Sequence, residues 1–114
     1  MAGDILFTVA ERVATITLNR PERRNAFTLA MIDEWADRLE ECAARADVHA
    51  VLVTGAGKAF CSGGDIDGLM KQGQGSGPQE RKDELVSHIH RIPRILERFD
   101  KPVIAAINGA ATGA

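Results

Sequence analysis

The sequence AVLVTGAGKAFCSGGDIDGLM, residues 50–70, decides the fold of this chain of 114 residues. It opens with a short apolar run that is typical of a buried strand. Glycines at positions 55 and 57 then lead into a turn that closes on Gly63 and Gly64. The stretch therefore predicts a strand, a loop and a short helix that runs from Asp65 to about Lys71.

The glycine pair at the start of this predicted helix is a candidate site for binding an acceptor oxygen. The first backbone N–H groups of a helix lack partners within the helix, and the aligned peptide dipoles favour negative charge there. Because Gly63 and Gly64 carry no side chains, an acceptor oxygen can approach their backbone closely. Asp65, in the first turn, also suits the dipole.

A second junction of the same kind lies at residues 101–114. The run KPVIAAI, residues 101–107, has a buried-strand pattern, and NGAATGA, residues 108–114, is a turn of small residues. Two such turns that face one cleft can direct two N–H donors at one oxygen. This arrangement is an oxyanion hole, which stabilises charge on a carbonyl oxygen by about 3 kcal/mol per donor.

Three segments together resemble the enoyl-CoA hydratase/isomerase (crotonase) family. They are NRPERRNAF at residues 19–27, KAFCSGGDI at residues 58–66 and KPVIAAING at residues 101–109. The resemblance implies an α/β fold, the crotonase-like (ClpP/crotonase) spiral of strand–strand–helix repeats. Residues 1–114 would form the N-terminal part of a single domain, without its later spiral turns and C-terminal helical region. We therefore expect the natural protein to be longer.

The same resemblance implies an enzyme that acts on acyl-CoA thioesters, a lyase or isomerase of fatty acid metabolism. The thioester oxygen would accept hydrogen bonds from the backbone N–H groups of Gly64 and Ala114, which stabilises an enolate. Hydration of a 2-enoyl-CoA is the first expectation, and double-bond isomerisation is the next. The acid/base carboxylates of the family lie beyond Ala114, so the chain alone is expected to be inactive. The alternative is a non-catalytic module or fragment that binds coenzyme A or a partner chain.

The resemblance also implies a coenzyme A site and an assembly. No cofactor is expected to be bound permanently, because coenzyme A is part of the substrate, and no metal site is expected. The full-length protein would form a homotrimer or a dimer of trimers. The implied binding residues are Arg23, Arg24, Ala26, Gly63, Gly64, Asp65 and Ile66. By composition alone, the cluster of Arg20, Arg23 and Arg24 is typical of solvated surface charge, whereas the resemblance favours a clamp on phosphates.

Composition excludes several other classes of function. The net charge of −2 gives no reason to expect nucleic acid or an anionic membrane as a partner. The sequence contains neither a long apolar run nor a secretory signal pattern, which indicates a cytoplasmic protein. Cys42 and Cys61 lack the spacing of a metal knuckle or a redox pair, and reduced thiols with structural roles are expected.

The remaining elements are predicted as scaffold. Residues 5–9 and 13–18 form a hairpin, with Ala14, Ile16 and Leu18 on one face. Residues 79–99 form an amphipathic helix that Pro93 kinks or divides, after a flexible connector at residues 72–78. Thr28 caps a helix whose apolar stripe comprises Leu29, Ile32, Trp35, Ala36, Leu39, Cys42 and Ala43.

Overall fold

The computed structural model describes residues 3–65 and 77–113 of the chain. The expected helix at residues 65–71 and most of the connector at residues 72–78 lie outside these ranges. The elements are β1 (Ile5–Ala10), β2 (Val13–Leu18), a 3₁₀ turn (Pro21–Arg23), α1 (Leu29–Ala44), β3 (Ala50–Gly55), α2 (Pro78–Ile89), α3 (Arg91–Glu97) and β4 (Val103–Ala106).

The four strands form one mixed sheet in the order β1–β2–β3–β4. β1 and β2 form the expected antiparallel hairpin, in which Phe7 lies opposite Ile16. β3 pairs in parallel with β2, and β4 pairs in parallel with β3. Parallel pairing requires a crossover connection, which α1 supplies between β2 and β3. This mixed α/β architecture agrees with the predicted fold class.

The inner face of β2 and the apolar side of α1 form the core. Ala14, Ile16 and Leu18 are fully buried, as their alternation predicted. The Thr28 hydroxyl caps α1 by accepting a hydrogen bond from the Met31 N–H at 3.1 Å. The predicted stripe on α1 is confirmed except at Ala43, which is exposed because it lies one position beyond the buried Cys42.

The segment around Pro93 forms two helices, as the proline predicted. The break falls at His90, between α2 and α3, and Pro93 lies in the first turn of α3. A proline is tolerated there because the first N–H groups of a helix need no partner within the helix. α3 places Ile92 and Ile95 in the core.

β4 forms one edge of the sheet, and its outer side is exposed. Ile104 is 56% exposed and Ile107, just beyond the strand, is 60% exposed. The prediction that this run is a buried strand is therefore wrong in its burial, because Val103 is half-buried and residues 104–107 are exposed. The strand itself is present, and an uncovered apolar edge of this kind favours association with another chain.

None of the helices in residues 3–65 and 77–113 has the length and apolarity needed to cross a membrane.

Candidate active site

The two predicted glycine turns lie side by side beyond the ends of β3 and β4. The N–H groups of Phe60 and Cys61 donate to the Ala110 carbonyl oxygen at 3.0 and 3.1 Å. The Thr112 N–H donates back to the Cys61 carbonyl oxygen at 2.9 Å. These bonds form a parallel bridge between Cys61 and Ala111. Because parallel β3 and β4 end at the same edge of the sheet, their following turns meet there.

Gly63 and Gly113 bring the two turns into direct contact. Their φ angles are +99° and +72°, a region that residues with a side chain rarely adopt. A Cβ atom on Gly113 would lie 3.1 Å from the Cα atom of Gly63. A Cβ atom on Gly63 would lie 3.3 Å from the Thr112 carbonyl oxygen. The close approach and the backbone angles therefore both require glycine.

The backbone of Gly64 is oriented by a parallel bridge to Phe27. The Phe27 N–H donates to the Gly63 carbonyl oxygen at 2.9 Å, and the Asp65 N–H donates to the Phe27 carbonyl oxygen at 2.8 Å. In this pattern the N–H of the intervening residue points away from the partner strand. The Gly64 N–H accordingly has no hydrogen bond to any residue within 3–65 or 77–113.

Asn25 ties the first motif to the turn that follows β3. Its side chain is completely buried, and its Oδ1 atom accepts a hydrogen bond from the Arg20 N–H at 2.8 Å. Its Nδ2 group donates to the carbonyl oxygens of Ala56 and Ala59 at 3.0 and 2.8 Å. Asn25 therefore holds residues 20–27 against residues 56–59.

Asp65 is buried and forms ion pairs with two arginines of the first motif. Its Oδ2 atom lies 3.0 Å from Nη2 of Arg20, and its Oδ1 atom lies 3.6 Å from Nη2 of Arg23. The Asp65 side chain is only 7% exposed, whereas that of Arg23 is 48% exposed. Arg20 thus faces Asp65 and not a solvent-facing phosphate site.

The other predicted binding residues lie around this network. Arg24 is exposed, and Ala26 accepts a hydrogen bond from the Arg20 side chain through its carbonyl oxygen. Arg23, Arg24, Ala26 and the Gly63–Asp65 turn are therefore neighbours in one surface region. Ile66 and Ala114 lie outside the described ranges.

Asn108 is a second bracing residue that sequence reasoning did not single out. Its Oδ1 atom accepts a hydrogen bond from the Gly55 N–H at 3.1 Å. Its Nδ2 group donates to the carbonyl oxygens of Gly57 and Ala59, both at 3.0 Å. The signal available in the sequence was the asparagine at the head of the second small-residue turn, since asparagine can satisfy backbone groups in loops.

The two cysteines have the environment of structural residues. Cys61 is buried, and its thiol donates to the Asn25 carbonyl oxygen at 3.3 Å. Burial raises the pKa of the Cys61 thiol, although a hydrogen bond from the Gly63 backbone acts in the opposite direction. Burial also raises the pKa of the Cys42 thiol, on the apolar side of α1. A raised pKa disfavours the nucleophilic thiolate, in agreement with the predicted structural roles.

An apolar cavity of about 390 Å³ opens next to the paired turns. Phe27, Cys61 and Gly113 line it on the side of the turns. Its other walls come from α1, the sheet, α2 and α3, and include Trp35, Val53, Ile89, Ile92 and Leu96. The paired turns therefore border an apolar space of the size of a small ligand.

Comparison with known proteins gives the same family over nearly the whole chain. The family model described as enoyl-CoA hydratase/isomerase matches residues 13–114. A probable enoyl-CoA hydratase of Mycobacterium tuberculosis, EchA14, is 42% identical over 110 residues. The alignment with EchA14 covers 96% of this chain and 41% of the relative. The 1,2-epoxyphenylacetyl-CoA isomerase of Escherichia coli is 37% identical and is matched over 42% of its length.

Solved structures extend the likeness to the fold. A probable enoyl-CoA hydratase/isomerase from Mycobacterium abscessus superimposes with a TM-score of 0.82 at 36% identity. An enoyl-CoA hydratase from Shewanella pealeana gives a TM-score of 0.87 at 28% identity. Both comparisons cover 97% of this chain and 41% of the other. The fold is therefore part of the crotonase-like fold, and the chain belongs to the enoyl-CoA hydratase/isomerase family.

Proposed function

We propose that this chain is the N-terminal part of an enzyme that binds acyl-CoA thioesters and stabilises a thioester enolate. The Gly64 N–H is the first donor to the thioester oxygen, and Ala114 supplies the second. The observation that carries this proposal is the contact between Gly63 and Gly113, with the Gly64 N–H directed away from Phe27.

The two donors supply the electrostatic part of the chemistry. As negative charge develops on the thioester oxygen, fixed N–H dipoles stabilise it without reorganising. The resulting enolate permits water to add to a conjugated double bond, or the bond to migrate. Hydration of a 2-enoyl-CoA is the first candidate and isomerisation the second, in line with the names of the relatives.

The surroundings of the turns suit the two ends of such a substrate. The apolar cavity accepts the acyl group next to Gly113. The exposed Arg23 and Arg24 bind the phosphates of coenzyme A, while Ala26 and the Gly63–Ile66 segment contact the rest of it. Coenzyme A enters as part of the substrate. The full-length protein is proposed to act in the cytoplasm as a homotrimer or a dimer of trimers.

Proton transfer requires a carboxylate other than Asp65. Asp65 is buried against Arg20, which stabilises its charge and occupies one of its oxygens. The chain spans about two fifths of the length of the relatives that it matches. We therefore place the acid/base residues beyond Ala114 and expect no turnover by these 114 residues alone.

The same observation on Asp65 favours a second candidate, a non-catalytic module. In such a module the Gly64 N–H is held in place, and the neighbouring Asp65 carboxylate is paired with Arg20. The chain could then bind an acyl-CoA without converting it. Such a module would bind coenzyme A esters or a partner chain that carries the missing groups.

Infrared spectroscopy of a bound thioester tests the leading proposal. An acyl-CoA with ¹³C in its thioester carbonyl should show a lower carbonyl stretching frequency when bound, because hydrogen bonds polarise the bond. Gly64→Pro removes one of the two N–H donors and should reduce the shift, whereas the control Gly64→Ala keeps the N–H and should retain the full shift. In a longer form with acid/base residues, Gly64→Pro should lower kcat by about 10²–10³. An undiminished frequency shift in Gly64→Pro would reject Gly64 as a donor.

A further inference from the structure

We infer that Arg20 is a positioning residue that fixes the direction of the Gly64 N–H. The inference rests on the proposed function, since it assumes that this N–H receives the thioester oxygen. One part of the inference can be tested without any ligand, namely that the Arg20 guanidinium holds the backbone on both sides of the Phe27–Gly64 bridge.

The Arg20 guanidinium joins two segments that are distant in sequence. Its Nη1 group donates to the Ala26 carbonyl oxygen at 2.6 Å. Its Nη2 group lies 3.0 Å from Oδ2 of Asp65. The side chains of Arg20 and Asp65 are 15% and 7% exposed, so water screens this pair poorly. One side chain thus cross-links residues 26 and 65.

These two contacts bracket the bridge that orients Gly64. Ala26 directly precedes Phe27, and Asp65 directly follows Gly64. The bridge itself has two hydrogen bonds, from Phe27 to Gly63 and from Asp65 to Phe27. The guanidinium adds a cross-link at the side of this two-bond ladder. Because the Gly63 carbonyl and the Gly64 N–H share one planar peptide, rotation of that peptide would break the hydrogen bond from Phe27 to Gly63. The guanidinium keeps the two segments together and so protects this bond.

Arginine suits this position better than lysine does. The planar guanidinium offers several N–H groups in a fixed geometry, so it can bind a carbonyl oxygen and a carboxylate at the same time. The Arg20 backbone is itself held by Asn25, whose Oδ1 atom accepts its N–H at 2.8 Å. Arg23 is a weaker candidate, because its contact with Asp65 is 3.6 Å long and its side chain is 48% exposed.

Amide hydrogen exchange, measured residue by residue by NMR on the 114-residue chain, tests the inference. Arg20→Gln should speed exchange of the Phe27 and Asp65 amides by about 10- to 100-fold, as expected for losing a hydrogen bond to a charged group. Exchange in β2 should change much less. Arg20→Lys should have an intermediate effect, and it serves as the decisive variant if Arg20→Gln does not fold. Arg24→Gln removes a charge from the same loop and should leave both amides unchanged.

Unchanged exchange at Phe27 and Asp65 in the Arg20 variants would overturn the inference. Equal acceleration in β2 would also overturn it, because Arg20 would then stabilise the whole fold and not this bridge. The proposed function is tested separately by adding butyryl-CoA to the unsubstituted chain. A Gly64 amide that does not respond would reject the function, whereas the exchange rates would still decide whether Arg20 holds the bridge.

Discussion

Replacement of Asn25 by alanine is predicted to destabilise the chain strongly, although the residue is not a candidate for contact with substrate. The buried side chain makes three hydrogen bonds to backbone groups, namely the Arg20 N–H and the carbonyl oxygens of Ala56 and Ala59. Alanine can replace none of them. Asn25 also has a φ angle of +57°, which asparagine tolerates better than alanine does.

The expected loss follows from these contacts. Three hydrogen bonds at roughly 1 kcal/mol each, and about 1 kcal/mol for the left-handed backbone, give a total near 4 kcal/mol. A chain of this size has a free energy of unfolding of about 6–17 kcal/mol at typical values per residue. The substitution therefore removes a large share of the total stability.

Urea unfolding followed by circular dichroism measures this loss. With a typical slope near 2 kcal/mol per molar urea, the midpoint should fall by about 2 M. Asn19→Ala is the matched control, because within the described part of the chain the Asn19 side chain makes a single hydrogen bond, from Nδ2 to the Gly3 carbonyl oxygen at 2.9 Å. The control should lose about 1 kcal/mol or less. A loss below about 1 kcal/mol for Asn25→Ala would refute the assigned role of its three hydrogen bonds.

Three further predictions concern the second turn, the thiols and the sheet edge. Gly109→Ala would place a Cβ atom on a backbone carbonyl of the facing turn, and it should cost about 3 kcal/mol or more in urea unfolding. Gly77→Ala, whose added Cβ atom would have no atom of residues 3–65 or 77–113 within 4 Å apart from its chain neighbours, should cost far less. Because burial raises the pKa of both thiols above 9.0, their contribution to stability is present below that pH and is lost as the pH rises through the raised values. Urea unfolding between pH 8 and 10 should show this fall, and a variant with both cysteines changed to alanine should show less of it. Ile104→Lys with Ile107→Lys should reduce self-association in sedimentation velocity, because these side chains are exposed at the sheet edge; unchanged association would exclude this edge as the contact.

The fold was largely predictable from local patterns. Alternation placed Ala14, Ile16 and Leu18 on the buried face, and Thr28 predicted the start of α1. Pro93 predicted a kink or two helices, and the structure has two helices with the break at His90, which the sequence did not predict. The exposure of Ile104 was not predictable from its own segment, because burial of a strand depends on which elements cover it and not on its composition alone.

The general position of the site was predictable from the sequence, but the side-chain contacts that hold its segments together were not. Two small-residue turns facing one cleft were predicted, and the contact between Gly63 and Gly113 brings these turns together. That the turns supply paired N–H donors stays a prediction. Asn25 and Asn108 were quoted as parts of motifs, but the carbonyl oxygens to which their side chains donate lie more than 30 residues away. Periodicity cannot reveal such contacts. The pairing of Arg20 with Asp65 likewise depends on tertiary structure, which distinguishes Arg20 from its two neighbours of equal charge.

The most direct test of the central claim is the response of the Gly64 amide to a ligand with and without a carbonyl group. ¹⁵N-labelled chain would be titrated with butyryl-CoA and, separately, with the butyl thioether of coenzyme A, which lacks the thioester oxygen. We predict that the Gly64 amide proton moves downfield with the thioester and much less with the thioether, because only the thioester offers an acceptor. Equal shifts with both ligands, or none with the thioester, would contradict the assignment of Gly64 as an oxyanion donor.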